Sequence, residues 1–269
     1  MSAKTPQKTA RWRYVLPNAV TCCGLLIGLA SISSALKGEY LDAGWLIILC
    51  AVLDKLDGTL ARLLKATSQI GMQLDSFSDF VSFGIAPGAL AFTLIQGNPP
   101  DSGVGAYADW HTAGMSYLNH ALCATFVLCA AIRLAKFNVI TDAAVDRTGN
   151  TVFYGIPSTI TGAFVAATVI VGIKYEFTSV LYYLPYGMLG FSLLMILNFP
   201  IPKISNRKSI LANGTLLVNA ILGSVCGIFR LWPEYLFFMI GGFMVFAIVW
   251  SIIYHKTLEA KRLDPYPEQ

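Results

Sequence analysis

The chain has 269 residues, of which 55% are hydrophobic and only 13% are charged, and its mean hydropathy is +0.61. These values exclude an ordinary soluble domain, in which about 25% of the residues are charged. The formal net charge of +4 is small, so it does not call for a nucleic acid partner. We therefore expect a membrane protein that binds no nucleic acid.

Eight apolar runs follow one another along the chain, and each is close to the roughly 20 residues of a membrane-spanning helix. They are continuously apolar rather than alternating, which predicts helices and not barrel strands. The runs cover residues 14–36, 41–62, 74–95, 116–138, 158–174, 179–200, 208–229 and 234–254. The sequence therefore predicts an all-α fold, a polytopic transmembrane bundle of about eight helices in one domain that covers residues 1–269.

Lysine and arginine are distributed unequally between the two sides of this predicted bundle. Fifteen of the 19 lie in the terminal tails and in the connections that follow the even-numbered runs. Lys37, Lys174 and Arg230 lie on the other side, and Lys55 is inside the second run. Since cytoplasmic loops are enriched in Lys and Arg, we expect both termini to be cytoplasmic in an inner, or cytoplasmic, membrane. The first run is expected to be a retained span rather than a cleaved signal peptide, because it is too long.

Four aspartates interrupt the second and third apolar runs, where a charged side chain is costly and is normally functional. Asp54 and Asp57 are three residues apart, and Asp75 and Asp79 are four apart, so each pair lies on one face of a helix. A short connection makes these two helices neighbours in a hairpin. We expect the four carboxylates to converge near the cytoplasmic boundary of the membrane.

A site built from carboxylates, without histidine or thiolate, favours a hard divalent cation such as Mg²⁺ or Mn²⁺. Four carboxylates cannot all remain ionised in a partly desolvated place without compensating charge. Two such ions beside Arg62 suit a diphosphate, because metal ions bridge phosphate oxygens and neutralise charge during displacement. Gly58 and Ala61 carry little side-chain bulk on the face of the aspartates, so a base or a phosphate has room to approach.

The complete motif from Asp54 to Asp79 reads D-x2-D-G-x2-A-R-x8-G-x3-D-x3-D. In this pattern the chain resembles the CDP-alcohol phosphotransferases, membrane enzymes that transfer a phosphatidyl-type group from a CDP-linked lipid to an alcohol and release CMP. The resemblance implies a homodimer with a two-metal site. Asp54, Asp57 and Asp75 would bind the first ion, and Asp79 would bind the second with Asp54 or Asp75. Asp79 would also be the general base that takes the proton of the acceptor hydroxyl.

The resemblance also implies a set of residues that contact the CDP moiety. In the motif this set comprises Gly58, Ala61, Arg62 and Ser68. The shorter pattern P-N-x-x-T adds Asn18 and Thr21 in the first helix, with helix capping as the alternative role for Asn18.

Three flanking stretches bear on the choice of the acceptor alcohol. These stretches are similar to stretches of the phosphatidylserine synthase subfamily. They are D-S-F-S-D-F-V-S-F-G-I-A-P from Asp75, R-L-A-K-F-N from Arg133 and F-Y-G-I-P from Phe153. This resemblance covers residues 14–160, the expected catalytic core, and leaves the C-terminal third unassigned. It implies a CDP-diacylglycerol–serine O-phosphatidyltransferase, with CDP-diacylglycerol and L-serine as substrates among membrane lipids. Arg133 and Lys136 are expected to hold the serine carboxylate, with ordinary cytoplasmic charge as the alternative.

Other interpretations remain open at this point. A related enzyme would use glycerol 3-phosphate, inositol phosphate or choline as the acceptor, and its lipid would be of the diacylglycerol or the ether type. A cation transporter would show internal repeats and helices broken near the membrane midplane, and the sequence shows no repeat. The glycine pairs Gly24–Gly28 and Gly84–Gly88 are interpreted as contacts between packed helices.

Overall fold

The computed structural model describes residues 12–66, 68–97, 112–144, 153–197, 200–201 and 210–259, and most of them are helical. The helices are α1 (Trp12–Leu36), α2 (Tyr40–Leu63), α3 (Gln69–Asp79), α4 (Ala86–Gln96), α5 (Ala113–Ala144), α6 (Ser158–Lys174), α7 (Thr178–Tyr182), α8 (Leu184–Ile196), α9 (Ile210–Phe229) and α10 (Pro233–Glu259). A π-helical turn, Phe80–Ile85, joins α3 to α4. Strand β1 (Phe153–Tyr154) pairs antiparallel with β2 (Pro200–Ile201). The helical fold class is confirmed, and the short strand pair is an addition that was not predicted.

Four helical segments in the described ranges are long and apolar enough to cross a membrane, as an integral membrane protein requires. They are Arg13–Leu36, Gln69–Gln96, Gly114–Val139 and Pro233–Ser251. Shorter apolar helices at Ser158–Lys174, Leu184–Ile196 and Leu217–Phe229 occupy other predicted runs. Helix α2 has 24 residues, but Asp54, Lys55 and Asp57 interrupt its apolar sequence. The count of about eight spans and the orientation of the termini stay predictions.

The run at 179–200 differs from its prediction as one continuous helix. Helix α7 ends at Tyr182, and α8 begins at Leu184 with Pro185 in its first turn. Proline lacks an N–H group and is compatible with the first turn of a helix but not with its interior. The 13 residues of α8 are therefore about 20 Å long, shorter than the hydrocarbon core of a bilayer.

Helix α6 lies in the most buried part of the bundle and contacts α2, α4 and α10. Its side chains at Val165, Ala166 and Val169 are fully buried. Close approach of the helices depends on small residues. A Cβ atom at Gly44 of α2, for example, would lie only 2.8 Å from Cγ1 of Ile170.

The glycine pairs singled out in the sequence lie in helix contacts. A Cβ atom at Gly24 would be 3.3 Å from the Ser78 hydroxyl, and one at Gly88 would be 2.8 Å from a methyl group of Val127. Helix α1 thus packs closely on α3, and α4 packs closely on α5. These contacts set the position of the helix that carries Asp75 and Asp79.

Candidate active site

Three of the four motif aspartates lie together. The ligand oxygens of Asp54 and Asp57, on α2, and of Asp75, on α3, are all within 4.8 Å of one another. Asp57 is buried, with 5% of its surface exposed, and the other two are half-buried. The hairpin of α2 and α3 therefore brings together like charges in a place with little water, where a cation would stabilise them.

Asp79 stands beside this cluster at the end of α3, one helical turn after Asp75. Its charge interacts with the charges of Asp54 and Asp75 and, with the opposite sign, with Arg133. The fourth aspartate is thus close enough to the cluster and to a guanidinium group of α5 for their charges to interact.

Thr21 connects α1 to the cluster. Its buried hydroxyl group donates a hydrogen bond of 2.8 Å to Oδ2 of Asp57. Ser78 in turn donates a hydrogen bond of 3.3 Å to the carbonyl oxygen of Thr21. Thr21 was predicted to contact a nucleotide, and the structure adds a second role, the orientation of a carboxylate.

A cavity of about 500 Å³ opens beside the cluster. Asp57 and Asp75 form part of its lining, so the cavity reaches the carboxylates. The structure also places in this lining all six residues predicted to contact the CDP moiety, namely Asn18, Thr21, Gly58, Ala61, Arg62 and Ser68. A Cβ atom at Gly58 would meet no other atom within 4 Å, so this glycine leaves open space on the cavity side of α2.

The beginning of α3 forms another part of the cavity wall. Ser68 caps the helix, and its hydroxyl oxygen accepts a hydrogen bond of 3.0 Å from the Gly71 N–H group. The first turn of a helix carries free N–H groups and a partial positive charge, which favour an anionic group such as a phosphate. Asn18 lies well inside α1, which is helical from Trp12, so the alternative that Asn18 caps this helix is wrong.

The outer side of the cavity combines a charge with apolar surface. Arg62 is exposed and lines the cavity. Its chain neighbour Leu63 is 74% exposed, and Ile70, next to Gln69 in the lining, is 77% exposed. A cavity whose lining includes charged side chains, next to exposed apolar side chains, suits an amphiphilic ligand.

The two cations predicted to hold an acceptor carboxylate have different neighbours. Arg133 donates a hydrogen bond of 3.1 Å from Nη1 to the Ser158 hydroxyl, and its charge interacts with Asp79 and Asp54. Its buried Nε atom has no hydrogen-bond partner within the described part of the chain. Lys136 instead donates a hydrogen bond of 3.4 Å to the carbonyl oxygen of Ile196, because the end of α8 offers free carbonyl groups.

Two polar contacts around this site were not predicted. Ser158, the partner of Arg133, is fully buried at the start of α6. Asn138 of α5 donates a hydrogen bond of 3.0 Å to Ser76 of α3. Asn138 lies in one of the stretches singled out in the sequence, and Ser158 directly follows another. A sequence motif does not show, however, which helices contact each other.

The chain is similar to several known proteins. The family model described as CDP-alcohol phosphatidyltransferase matches residues 14–196. A CDP-diacylglycerol–serine O-phosphatidyltransferase of Helicobacter pylori is 32% identical over 164 residues, which cover 61% of this chain and 61% of that protein. A protein of the same description from Mycobacterium bovis is 28% identical, over 82% of this chain and 72% of its own length. Another, from Bacillus subtilis, is 30% identical, over 72% of this chain and 93% of its own length. The match thus spans about three fifths of the length of the Helicobacter relative.

Proposed function

The chain belongs to the CDP-alcohol phosphatidyltransferase family, and from this membership we propose that it transfers a phosphatidyl group from CDP-diacylglycerol to L-serine and releases CMP. The observation that carries the proposal is the carboxylate cluster of Asp54, Asp57 and Asp75 at the edge of the cavity. The serine transferases among its relatives support the choice of acceptor. The chain would act as one domain over residues 1–269, with a catalytic core at 14–160.

The aspartates fit a site for divalent cations. Three carboxylate oxygens within 4.8 Å of one another can reach a common ion, and oxygen ligands suit Mg²⁺ or Mn²⁺. In the proposed site Asp54, Asp57 and Asp75 hold one ion, and Asp79 holds a second with Asp54 or Asp75. The bound ions would neutralise charge on the diphosphate of the substrate.

The cavity is the proposed site for the CDP moiety. Gly58 leaves room along α2, and Ala61 of α2 and Asn18 and Thr21 of α1 also line the cavity. Arg62 can offer two parallel N–H groups to phosphate oxygens. Ser68 at the start of α3 lies in the same lining, and the first turn of a helix favours an anionic group.

In the proposed reaction the serine hydroxyl oxygen attacks the phosphorus that carries the diacylglycerol. Asp79 accepts the hydroxyl proton, which makes the oxygen a better nucleophile. A new oxygen–phosphorus bond forms, the bond from this phosphorus to the bridging oxygen of CMP breaks, and CMP leaves. Arg133 is the proposed partner of the serine carboxylate, since Ser158 already orients its guanidinium group. Lys136, directed to α8, would lie at the outer side of this acceptor site.

The topology of the sequence analysis remains part of the proposal. We propose eight spans, cytoplasmic termini and a cytoplasmic active site in the inner membrane. The unequal distribution of Lys and Arg supports this orientation. Exposed aromatic side chains at Tyr175, Phe177, Tyr183 and Trp232 support an external membrane interface at their end of the bundle.

Orientation and assembly each have a direct test. A membrane-impermeant thiol reagent should label Ser102→Cys in intact cells and label Ser205→Cys only after the cells are opened. The reverse pattern would overturn the orientation. A homodimer, implied by the family resemblance, should have twice the 29.2 kDa protein mass of the chain in light scattering corrected for detergent.

The proposed activity is tested with purified protein, CDP-diacylglycerol and a panel of alcohols. CMP release should be fastest with L-serine and should produce phosphatidylserine. Faster release with glycerol 3-phosphate, inositol phosphate or choline would contradict the choice of acceptor. Absence of CMP release with every alcohol, in the presence of Mg²⁺ or Mn²⁺, would contradict the transferase activity itself.

A further inference from the structure

The helix that carries Asp75 and Asp79 does not continue as a regular α-helix. Asp79 is the last residue of α3, and the π-helical turn of Phe80–Ile85 follows at once, closed by a hydrogen bond from the Ala86 N–H group to the Val81 carbonyl oxygen. A π-helical turn holds about one more residue than an α-helical turn, and such turns are frequent at functional sites. It rotates the preceding helix against the following one by roughly 100°, the contribution of one residue. The direction in which Asp79 faces α2 therefore depends on this turn.

Two neighbouring helices contact the π-helical turn through glycine. A Cβ atom at Gly162 of α6 would lie 2.8 Å from the carbonyl oxygen and 2.9 Å from the Cα atom of Phe83. A Cβ atom at Gly28 of α1 would lie 2.6 Å from the hydroxyl oxygen of Ser82 but 3.4 Å from its Cβ atom. The first contact involves the backbone of the turn, which cannot rotate away. In the second contact only the Ser82 hydroxyl oxygen lies closer than 3.0 Å, and the Cα atom of Ser82 is 3.3 Å away. Phe83 itself is 1% exposed, so the backbone that Gly162 contacts lies in the packed interior.

We propose that Gly162 is a positioning residue for the transfer reaction. Because Gly162 has no side chain, α6 lies directly against the backbone of the π-helical turn, and this contact fixes the carboxylate of Asp79 relative to Asp54. The inference rests on the proposed function, in which Asp79 accepts the proton of the acceptor hydroxyl. The cavity proposed for the nucleotide is lined by residues 17–75, before the turn. Displacement of the turn therefore moves Asp79 more than it changes the nucleotide site.

The test begins with Gly162→Ala. We expect kcat for serine-dependent CMP release to fall by about tenfold to a hundredfold, the usual effect of a small misplacement of a reacting group. The KM for CDP-diacylglycerol should stay within about twofold of the wild-type value, because the cavity is unchanged.

Helix α6 offers a matched control in Gly172→Ala. A Cβ atom there would be 2.5 Å from Cδ2 and 2.8 Å from Cγ of Leu181, so this variant also crowds a buried contact. Gly172 lies ten residues, or about 15 Å, further along the helix, away from the aspartates. It should lower the melting temperature while kcat stays at the wild-type value.

A double variant distinguishes an effect on the π-helical turn from a general loss of packing. Gly28→Ala should also lower kcat, and Ser82→Ala should restore it in the Gly28→Ala background by removing the crowded hydroxyl group. Ser82→Ala alone should keep nearly wild-type kcat. The same substitution should not restore Gly162→Ala, because the crowded atoms there belong to the backbone. This pair keeps the test decisive even if Gly162→Ala does not fold.

Mn²⁺ binding, followed by electron paramagnetic resonance, gives a readout that does not need turnover. Gly162→Ala should alter the spectrum or the affinity of bound Mn²⁺, and Gly172→Ala should leave both unchanged. Wild-type kcat together with wild-type Mn²⁺ binding in Gly162→Ala would overturn the inference, as would failure of Ser82→Ala to restore Gly28→Ala. If the wild type releases no CMP with any alcohol, the proposed function fails, and Mn²⁺ binding still tests the positioning.

Discussion

Asp57 shows how single residues prepare the site. It is the most buried of the three clustered aspartates, and the Thr21 hydroxyl group reaches it from another helix at 2.8 Å. Partners of this kind fix the orientation of a metal ligand, and their loss commonly lowers metal affinity by about 10–100-fold. Thr21 thus supports the proposed metal site as well as lining the cavity.

Thr21→Val keeps the volume of the side chain but removes its hydroxyl group. We expect the affinity for Mn²⁺ to fall by about tenfold, because the carboxylate of Asp57 loses its hydrogen-bond donor. Thr21→Ser, which retains the hydroxyl group, is the control and should bind Mn²⁺ like the wild type. Titration of the purified protein with Mn²⁺ measures both variants, and equal affinities would contradict this role.

Arg62→Lys keeps the charge at the outer side of the cavity. An ammonium group cannot offer the two parallel N–H groups of a guanidinium, so kcat/KM for CDP-diacylglycerol should fall by about tenfold. Arg230→Lys is the matched control, because Arg230 forms an ion pair with Asp42 at the other end of α2. An unchanged kcat/KM in Arg62→Lys would indicate that Arg62 serves only as a charge that sets the topology.

Asp79→Asn keeps the shape of the side chain but removes the proposed base and one proposed metal ligand. Serine-dependent CMP release should fall by about a thousandfold, within the range for loss of a general base. Direct attack by serine also predicts no exchange of labelled CMP into CDP-diacylglycerol when serine is absent. Rapid exchange by the wild type without serine would instead indicate a covalent phosphatidyl-enzyme.

The sequence predicted the residues of the site better than their partners. The spacing of the four aspartates predicted the convergence that Asp54, Asp57 and Asp75 show, because helical spacing places the two pairs on facing sides of one hairpin. The hydrogen bond from Thr21 to Asp57 and the different partners of Arg133 and Lys136 depend on how helices cross. The geometry of helix crossing arises from the packing of many small residues, and no local sequence pattern predicts it.

At the scale of helices, continuous apolar sequence predicts where a helix lies but not its internal breaks. In a segment that is apolar on every side, the hydrophobic pattern does not show which residues face the neighbouring helices. The π-helical turn of Phe80–Ile85 contains no proline, so its sequence carries no proline signal for a break in the α-helix. The break before α8 does have a local signal, Pro185. Because proline is not compatible with a helix interior, the prediction of one continuous helix over 179–200 is wrong.

The contact between α6 and α10 includes a polar group at the end of the bundle away from the cavity. Glu234 of α10 forms an ion pair with Lys174 and accepts a hydrogen bond of 2.6 Å from the Tyr175 hydroxyl. Glu234→Gln should lower the melting temperature by only about 1–3 °C, because exposed ion pairs contribute little, and kcat should not change. Glu176→Gln, in the neighbouring turn, is the control. A loss of activity in Glu234→Gln would contradict this purely structural role.

At the scale of the whole molecule, the C-terminal helices pack on the helices around the site. A Cβ atom at Gly227 of α9 would be 3.1 Å from side chains of Ile48 and Val52 on α2. One at Gly241 of α10 would be 2.9 Å from the ring of Phe164 on α6. The C-terminal third, which the family resemblance left unassigned, therefore supports α2 and α6 from outside.

Removal of divalent cations should affect the whole molecule as well as its activity. With EDTA we expect CMP release to stop and the melting temperature to fall, because bound cations offset the repulsion among the carboxylates and stabilise the folded state. Added Mg²⁺ or Mn²⁺ should restore both quantities, and an equal ionic strength of NaCl should restore neither. Full turnover in the presence of the chelator would contradict a metal-dependent reaction.

The exposed side chains of Leu63 and Ile70 beside the proposed nucleotide cavity have a kinetic consequence. In the proposed reaction the lipid substrate arrives by lateral diffusion within the bilayer, while serine arrives from the aqueous phase. The effective concentration of the lipid is then a mole fraction of the surface, and that of serine is a bulk molarity. Dilution of the membrane with inert lipid therefore slows the enzyme as effectively as removal of substrate, even when the number of substrate molecules in the vessel is unchanged.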